Sequence, residues 1–216
     1  MKGGEHREAA LATLLAPANL FQPWTTTTAD RYPEEFALIG AALERPAERI
    51  LSFGCASGAE LLSLHEAFPG ARIEGIDINP LAVRAARRKV AAAGLGARVG
   101  VTQAGDASAV PASSYDVVTA LAVFRHGALA ERPASCADLI RFADFERTVA
   151  GLTGALRPGG LLLVRHANFR FTDTAAAADF ALVRSFADGS GATPAYGPDD
   201  RLRADAPDDG LYRRLR

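Results

Sequence analysis

Apolar and polar positions along this chain switch between two periods, and the switches divide it into elements. Ile50, Leu51 and Phe53 form a short apolar run of the kind a buried strand makes. Gly54-Cys55-Ala56-Ser57-Gly58 breaks that run, and from Ala59 the spacing turns helical, with Leu61, Leu62, Leu64 and Phe68. Pro69-Gly70 stops the helix. Arg72 to Asp77 reads as a second strand, with Ile73 and Ile76 apolar and a carboxylate at its end. Asn79-Pro80 opens an amphipathic helix carrying Leu81, Val83, Ala86 and Val90, which Gly94 and Gly96 close. Arg98 to Gln103 is the third strand, and Ser114 to Val123, almost unbroken in its apolarity, is the fourth. A helix over about 137–156 exits at Arg157-Pro158-Gly159-Gly160, and Leu161 to Val164 is the fifth strand. Residues 175–187 predict a helix leading into a strand, 188–197 a turn-rich stretch, 199–209 a solvated charged loop and 211–215 a last short strand. Ahead of the first strand, residues 5–15 and 33–43 predict two helices separated by an irregular segment.

Strands that alternate with helices in this way predict an α/β fold, a doubly wound, mostly parallel sheet with helices on both faces. The 216 residues suit a single domain, 1–216, with residues 1–45 as an N-terminal helical extension and 46–216 as the core. Composition changes this picture little, because 49% hydrophobic and 23% charged residues are ordinary for a globular chain. The formal net charge of −1 gives no bulk attraction to nucleic acid. Lys2 and Lys89 are the only lysines, so the arginine excess, beside many alanines, reads as compositional bias and not as phosphate recognition. Arg84, Arg87, Arg88 and Lys89 fall on the polar side of their helix, as a solvated face does. Cys55 and Cys136 are too few for a disulfide framework or a zinc site, so no metal is expected and a reducing, cytoplasmic setting is. No apolar run is long enough to cross a bilayer and no targeting segment is evident.

The unit from Arg49 to Asn79 carries the chemistry. It is a strand, a glycine turn, a helix and a second strand that closes on Asp77. Gly54 and Gly58 allow a sharp turn and a close approach. The following helix points unpaired N–H groups and positive dipole at the turn. Asp77 stands about 20 residues beyond Gly54, the separation at which such a unit brings a carboxylate to the two hydroxyls of a ribose. The plain alternative is a βαβ unit whose glycines only make the turn. The spacing between the glycines, G-x-x-x-G, differs from the dinucleotide pattern G-x-G-x-x-G, which argues against a nicotinamide oxidoreductase, and no G-x-x-x-x-G-K-[ST] loop is present.

The stretch Leu51-Ser52-Phe53-Gly54-Cys55-Ala56-Ser57-Gly58-Ala59-Glu60 resembles the first motif of the class I methyltransferases, which use S-adenosyl-L-methionine. Leu156-Arg157-Pro158-Gly159-Gly160-Leu161-Leu162-Leu163-Val164 is similar to a later stretch of the same family, and the resemblance covers most of the chain. It implies a Rossmann-like, seven-stranded sheet and methyl transfer to an acceptor, a small molecule or a protein side chain. It further implies that Gly54, Cys55, Ala56, Gly58, Asp77 and Ile78 hold the cofactor. Asp106, with Ala107, would meet the amine of adenine, although Asp106 is equally at home as a turn or cap residue. In this family an N-terminal extension often folds over the cofactor, which makes Phe21, Trp24, Arg31 and Tyr32 candidates for its mouth. Arg31 could then pair with the methionine carboxylate. The alternative is that these residues simply pack the segment on the sheet.

His126 and His166 follow the fourth and fifth strands, where open α/β sheets bind ligands. Either can serve as a general base near neutral pH, with Asn168, Phe169 and Arg170 lining an acceptor pocket. The alternative is that they are hydrogen-bonded structural histidines. No Asn/Asp-Pro-Pro-Tyr motif follows the fourth strand. A non-catalytic S-adenosylmethionine-binding scaffold stays open beside the enzyme, and packing of Phe124, Phe169 or Phe171 into the acceptor space would favour it.

Overall fold

The computed structural model describes residues 20–22, 32–186, 193–205 and 207–216. The helix expected over residues 5–15 lies outside them. The observed order is α1 (Pro33–Ala42), β1 (Arg49–Phe53), α2 (Ala59–Ala67), β2 (Arg72–Asp77), α3 (Pro80–Ala92), β3 (Val99–Gln103), β4 (Tyr115–Leu121), α4 (Phe142–Ala155), β5 (Leu156–Arg165), β6 (Phe180–Ser185) and β7 (Gly210–Arg214). The seven strands form one sheet in the order β3-β2-β1-β4-β5-β7-β6. The first five run parallel, and β7 is antiparallel to both β5 and β6. The order reverses between β1 and β4, so a crevice opens above the C-terminal ends of those strands.

Alternation along each strand sorts its residues between two cores. Ile50, Ile73, Val99, Val117, Leu161 and Leu163 face α1, α2 and α3, with Ile39, Leu61, Leu64 and Val90 filling the layer. Leu51, Phe53, Ile76, Val118, Leu162 and Val164 face the other way, toward Phe142, Phe145, Val149 and Leu152 of α4. Burial on both faces explains why β4 is buried at every position. α3 begins as the sequence predicts, because Asn79 Oδ1 accepts from the N–H groups of Leu81 (2.9 Å) and Ala82 (3.4 Å). Such a cap contributes about 1 kcal/mol.

Three boundaries differ from expectation. α4 starts at Phe142 and not near Ala137, because the 136–141 segment is folded as a turn on Cys136 O and the Phe142 N–H is taken by Asp200 Oδ1 at 2.7 Å. Arg157 to Gly160 belongs to β5, where an irregularity between Tyr115 and Val117 absorbs it and Gly159 takes φ +78°. Where a helix leading into a strand was expected over residues 175–187, the helical part is a single 3-10 turn, Ala175–Asp179, and the strand is β6, which follows directly. Four alanines have helical propensity but little apolar surface to bury, and so short a helix is marginal. Among the described residues no helix is long and apolar enough to cross a membrane.

Candidate active site

Gly54 follows β1 with φ +74°, and an added Cβ would lie 2.5 Å from Val123 Cγ2 of the loop after β4. Gly58 precedes α2 with φ +82°, and its missing Cβ makes room for Ala86 of α3. Both glycines therefore serve the turn and the close packing of the chain against itself. The turn is tied to β2 at three points. Ile76 O accepts from Gly54 N–H at 2.8 Å and from Cys55 N–H at 3.1 Å, and Asp77 Oδ2 accepts from Ala56 N–H at 2.8 Å. Asp77 Oδ1 accepts from Asn79 N–H, also at 2.8 Å. Each carboxylate oxygen keeps a further lone pair. Burial pushes the Asp77 carboxyl above its ordinary value, and the two N–H groups oppose that shift.

The side chain of Cys55 points into the core, 1% exposed, and burial pushes its thiol well up. What Cys55 brings to the turn is backbone. Beneath the turn, Glu60 Oε1 accepts from Ser52 (2.9 Å) and Thr119 (2.7 Å), which links α2 to β1 and β4. Ile78 is half-buried beside Asp77. Asp106 is exposed and caps a 3-10 turn through Ser108 N–H at 2.8 Å; that bonding holds its carboxyl below the ordinary value. Ala107 is buried against the α4 side of the sheet.

The tips of β4 and β5 carry the histidines. Both strands end in a left-handed, non-glycine residue, Ala122 (φ +56°) and His166 (φ +54°), and Ala56 in the glycine turn is a third (φ +47°). Such backbone costs roughly 1–2 kcal/mol per residue, and three instances fall on one edge of the sheet. His126 is half-buried, and burial lowers its imidazole below the ordinary value, so it is neutral at pH 7. Its Nδ1 accepts from Ala128 N–H at 3.3 Å. The neutral ring therefore carries its proton on Nε2 and presents a donor. His166 is arranged differently. Its Nδ1 lies 3.9 Å from Asp209 Oδ2, its own N–H donates to that carboxylate at 2.7 Å, and its ring faces Tyr32 with centroids 6.0 Å apart. Beside it, Arg165 reaches from β5 to Glu35 of α1 at 3.3 Å, both side chains 11% exposed.

The expected pocket lining fares unevenly. Asn168 is 1% exposed, and both ends of its amide are used: Oδ1 accepts from His126 N–H (2.8 Å) and Nδ2 donates to Pro194 O (2.8 Å). It fixes the His126 loop from below. Phe169 is fully buried among Phe142 and Phe145, with centroids 5.7 and 5.3 Å away. Arg170 is half-buried and bonds Asp205 at 2.6 Å. Of the three, Asn168 and Phe169 are closed off from solvent and Arg170 keeps part of its side chain exposed. Phe124 stacks on Phe53 and meets Phe21 edge-on at 5.2 Å, which brings the N-terminal segment against the β4 tip. Trp24 and Arg31 lie outside the described residues.

Two groups escaped the sequence reading. Glu35, which the helix pattern over 33–43 does not single out, is buried against Arg165. The 199–209 segment was expected to be a solvated loop, yet its acids cap backbone donors: Asp208 holds Phe171 and Thr172 (2.8 Å each), and Asp209 holds His166 and Ala167. Local sequence gave no signal for either, because their partners lie over 30 residues away.

Residues 51–162 match the family model described as a methyltransferase domain. The match spans more than half of the chain and includes the glycine turn, Asp77 and the β4 tip, and the chain belongs to the class I S-adenosylmethionine-dependent methyltransferase family. A demethylmenaquinone methyltransferase of Thermus thermophilus is 34% identical over 128 residues, which are 58% of this chain and 50% of that protein. The chain thus spans half the length of this curated relative. Among solved structures, CalS10, an amino pentose methyltransferase from Micromonospora echinaspora with S-adenosylmethionine bound, is 22% identical, with a TM-score of 0.45 over 74% of this chain and 55% of that one. YcgJ from Bacillus subtilis is 22% identical, with a TM-score of 0.45 over 61% and 49%.

Proposed function

We propose that the protein binds S-adenosylmethionine over the C-terminal edge of its sheet and transfers the methyl group to a small-molecule acceptor. The observation that carries this reading is Asp77. Its carboxylate is anchored by two backbone N–H groups at the tip of β2, at the mouth of the glycine turn, and each oxygen retains acceptor capacity for one hydroxyl of a ribose. The donor set fits the cofactor: the diol has two acceptors in Asp77, and the base has the half-buried Ile78 beside it and Asp106 and Ala107 after β3. Gly54, Cys55, Ala56 and Gly58 would contact the ligand through backbone. Of the N-terminal residues, Arg31 would lie toward the methionine carboxylate. Bound cofactor supplies a methyl group already activated as a sulfonium.

The chain's own residues then have to position the acceptor, exclude water and take any proton that leaves. Positioning alone can supply several kcal/mol. Of the two histidines, His166 has the arrangement of a base, since Asp209 on the Nδ1 side favours a proton there and leaves Nε2 to accept. His126, with its proton on Nε2, would donate to an acceptor oxygen. A quinol-type acceptor accords with the name of the Thermus relative, a demethylmenaquinone methyltransferase. Two free, buried cysteines accord with a cytoplasmic setting.

A non-catalytic binding module is the second reading, and the burial of Phe124, Phe169 and Phe171 at the strand tips supports it. Calorimetric titration with S-adenosylmethionine, S-adenosylhomocysteine and NADH tests the cofactor. Saturable binding of the two sulfur ligands and none of NADH is expected; no binding of either sulfur ligand overturns the proposal. Methyl transfer from labelled cofactor to a panel of quinols, phenols and small amines then separates enzyme from module.

A further inference from the structure

The N-terminal edge of the sheet, opposite the glycine turn, carries an arginine at the start of each of three neighbouring parallel strands, Arg49 and Arg72 as the first residues of β1 and β2 and Arg98 just before β3. Arg49 pairs directly with Arg72 in the β1–β2 register, and Ile73 of β2 bonds through its N–H to Arg98 O at 2.9 Å. Ile73 is the register partner of Val99, so Arg98 stands beside Arg72. Strand alternation sends all three side chains to the face that holds Leu51 and Ile76. Elsewhere that face is covered by α4, which packs on β4 and β5. Among the described residues no helix covers it at the N-terminal ends of β2 and β3, because the connection from β3 to β4 makes only a 3-10 turn at Ala107–Ala109. A cavity of about 520 Å³ results, floored by Glu74 and Gly100 and walled by the three arginines and Tyr115. An added Cβ at Gly100 would meet nothing within 4 Å.

Charges within the cavity do not balance. Glu74 is already engaged: Tyr115 Oη donates to it at 2.6 Å, and Arg49 lies 3.8 Å away with its guanidinium 4.8 Å over the Tyr115 ring. Arg98 donates to Gly70 O at 3.0 Å, a neutral partner. Among the described residues neither Arg72 nor Arg98 has an acidic partner. Like charges placed side by side across a sheet are destabilising unless something of opposite sign lies between them.

We propose that this cavity is a second ligand site, specific for a phosphate-bearing small molecule, with Arg72 and Arg98 clamping the phosphate and the Arg49–Tyr115 stack against the body of the ligand. Guanidinium forks match phosphate oxygens in pairs, and the volume lies in the range of small-molecule sites. The site does not depend on the glycine turn.

Calorimetric titration with inorganic pyrophosphate and with phenyl phosphate tests it, at constant ionic strength set by sodium chloride. Both probes should bind saturably, phenyl phosphate the tighter for its ring. The R72Q/R98Q variant should lose at least about tenfold in affinity for each while keeping the parent's circular dichroism and melting temperature. Excess S-adenosylhomocysteine should leave probe binding unchanged. The proposal fails if neither probe saturates below about 10 mM, if R72Q/R98Q binds within about twofold of the parent, or if S-adenosylhomocysteine displaces the probe.

Discussion

Removing the Asp77 carboxylate should weaken S-adenosylhomocysteine binding ten- to hundredfold. The size follows from the geometry. Asp77 Oδ1 and Oδ2 each hold one backbone N–H at 2.8 Å, which fixes the carboxylate and leaves one acceptor direction per oxygen for the two ribose hydroxyls. Loss of charge-assisted hydrogen bonding of this kind costs about 1.5–3 kcal/mol, and 1.4 kcal/mol is a factor of ten. Asp77→Ala also orphans the N–H groups of Ala56 and Asn79, so its melting temperature should drop and titrations should run well below it. A pH series supplies a second readout on the unaltered chain. Burial raises the Asp77 carboxyl above 3.8 in the free protein. Cofactor binding favours the ionised form, so affinity should fall as pH drops below that raised value, by up to about tenfold per pH unit. For the ligand-free fold the sign is opposite. A raised carboxyl contributes stability that is present at low pH and lost as pH rises through its folded-state value. Asp77→Asn should abolish the pH dependence of binding. Titration of Asp77→Ala that gave an affinity within about threefold of the parent at pH 7.5 would refute the assignment.

Other perturbations probe the frame around that site. Gly54→Ala should destabilise by more than the roughly 1–2 kcal/mol of a left-handed alanine, because its Cβ would also meet Val123; adding Val123→Ala should recover the clash and not the backbone cost, as read by urea unfolding. Asp116 is fully buried at the start of β4, accepts from Glu48 N–H (2.7 Å) and Arg49 N–H (2.9 Å), and is ion-paired with Arg157. Asp116→Ala should therefore cost about 3 kcal/mol in the same assay, and folded variant should keep the parent's affinity for S-adenosylhomocysteine. His126 should titrate below 6.5 by nitrogen-15 NMR, with its neutral proton on Nε2. Its depressed value contributes stability present above pH 6.5 and lost as pH falls through it. A resonance pattern with the proton on Nδ1 would restore His126 as a candidate base.

Much of this frame was legible in the chain itself. The period of the apolar residues marks β1 to β4 and α2 and α3 closely, because those elements are long enough and buried enough for sequence pattern to equal environment. Glycines, Asn79 and Pro80 mark the turns because their conformational roles are local. The second half of the sheet was harder. Residues 175–187 have the composition of a helix, but the strand they lead into lies at the edge of the sheet, with Leu182 and Val183 58% and 41% exposed. The site followed the same division. Asp77 was readable from its distance to Gly54. The roles of Asn168 and Asp209 were not, because each depends on partners at the other end of a long connection.

That dependence explains how the strained edge holds together. Left-handed backbone at Ala122 and His166 persists only if its surroundings fix it. Ala122 N–H donates to Arg165 O at 2.9 Å, so the β4 tip is held by the β5 tip. The β5 tip is held in turn by Asp209, whose carboxylate takes the His166 and Ala167 N–H groups. Asn168 closes the circle, donating its own N–H to Phe124 O at 2.7 Å and accepting from His126 N–H at 2.8 Å. The three loops after β1, β4 and β5 are therefore braced through Val123 against Gly54, through Asn168 against the His126 loop, and through Asp209 against His166. Asp209→Ala should then act at a distance: it should lower the melting temperature, free the His166 ring, and also broaden the His126 resonances through Asn168, a coupling that independent loops would not show.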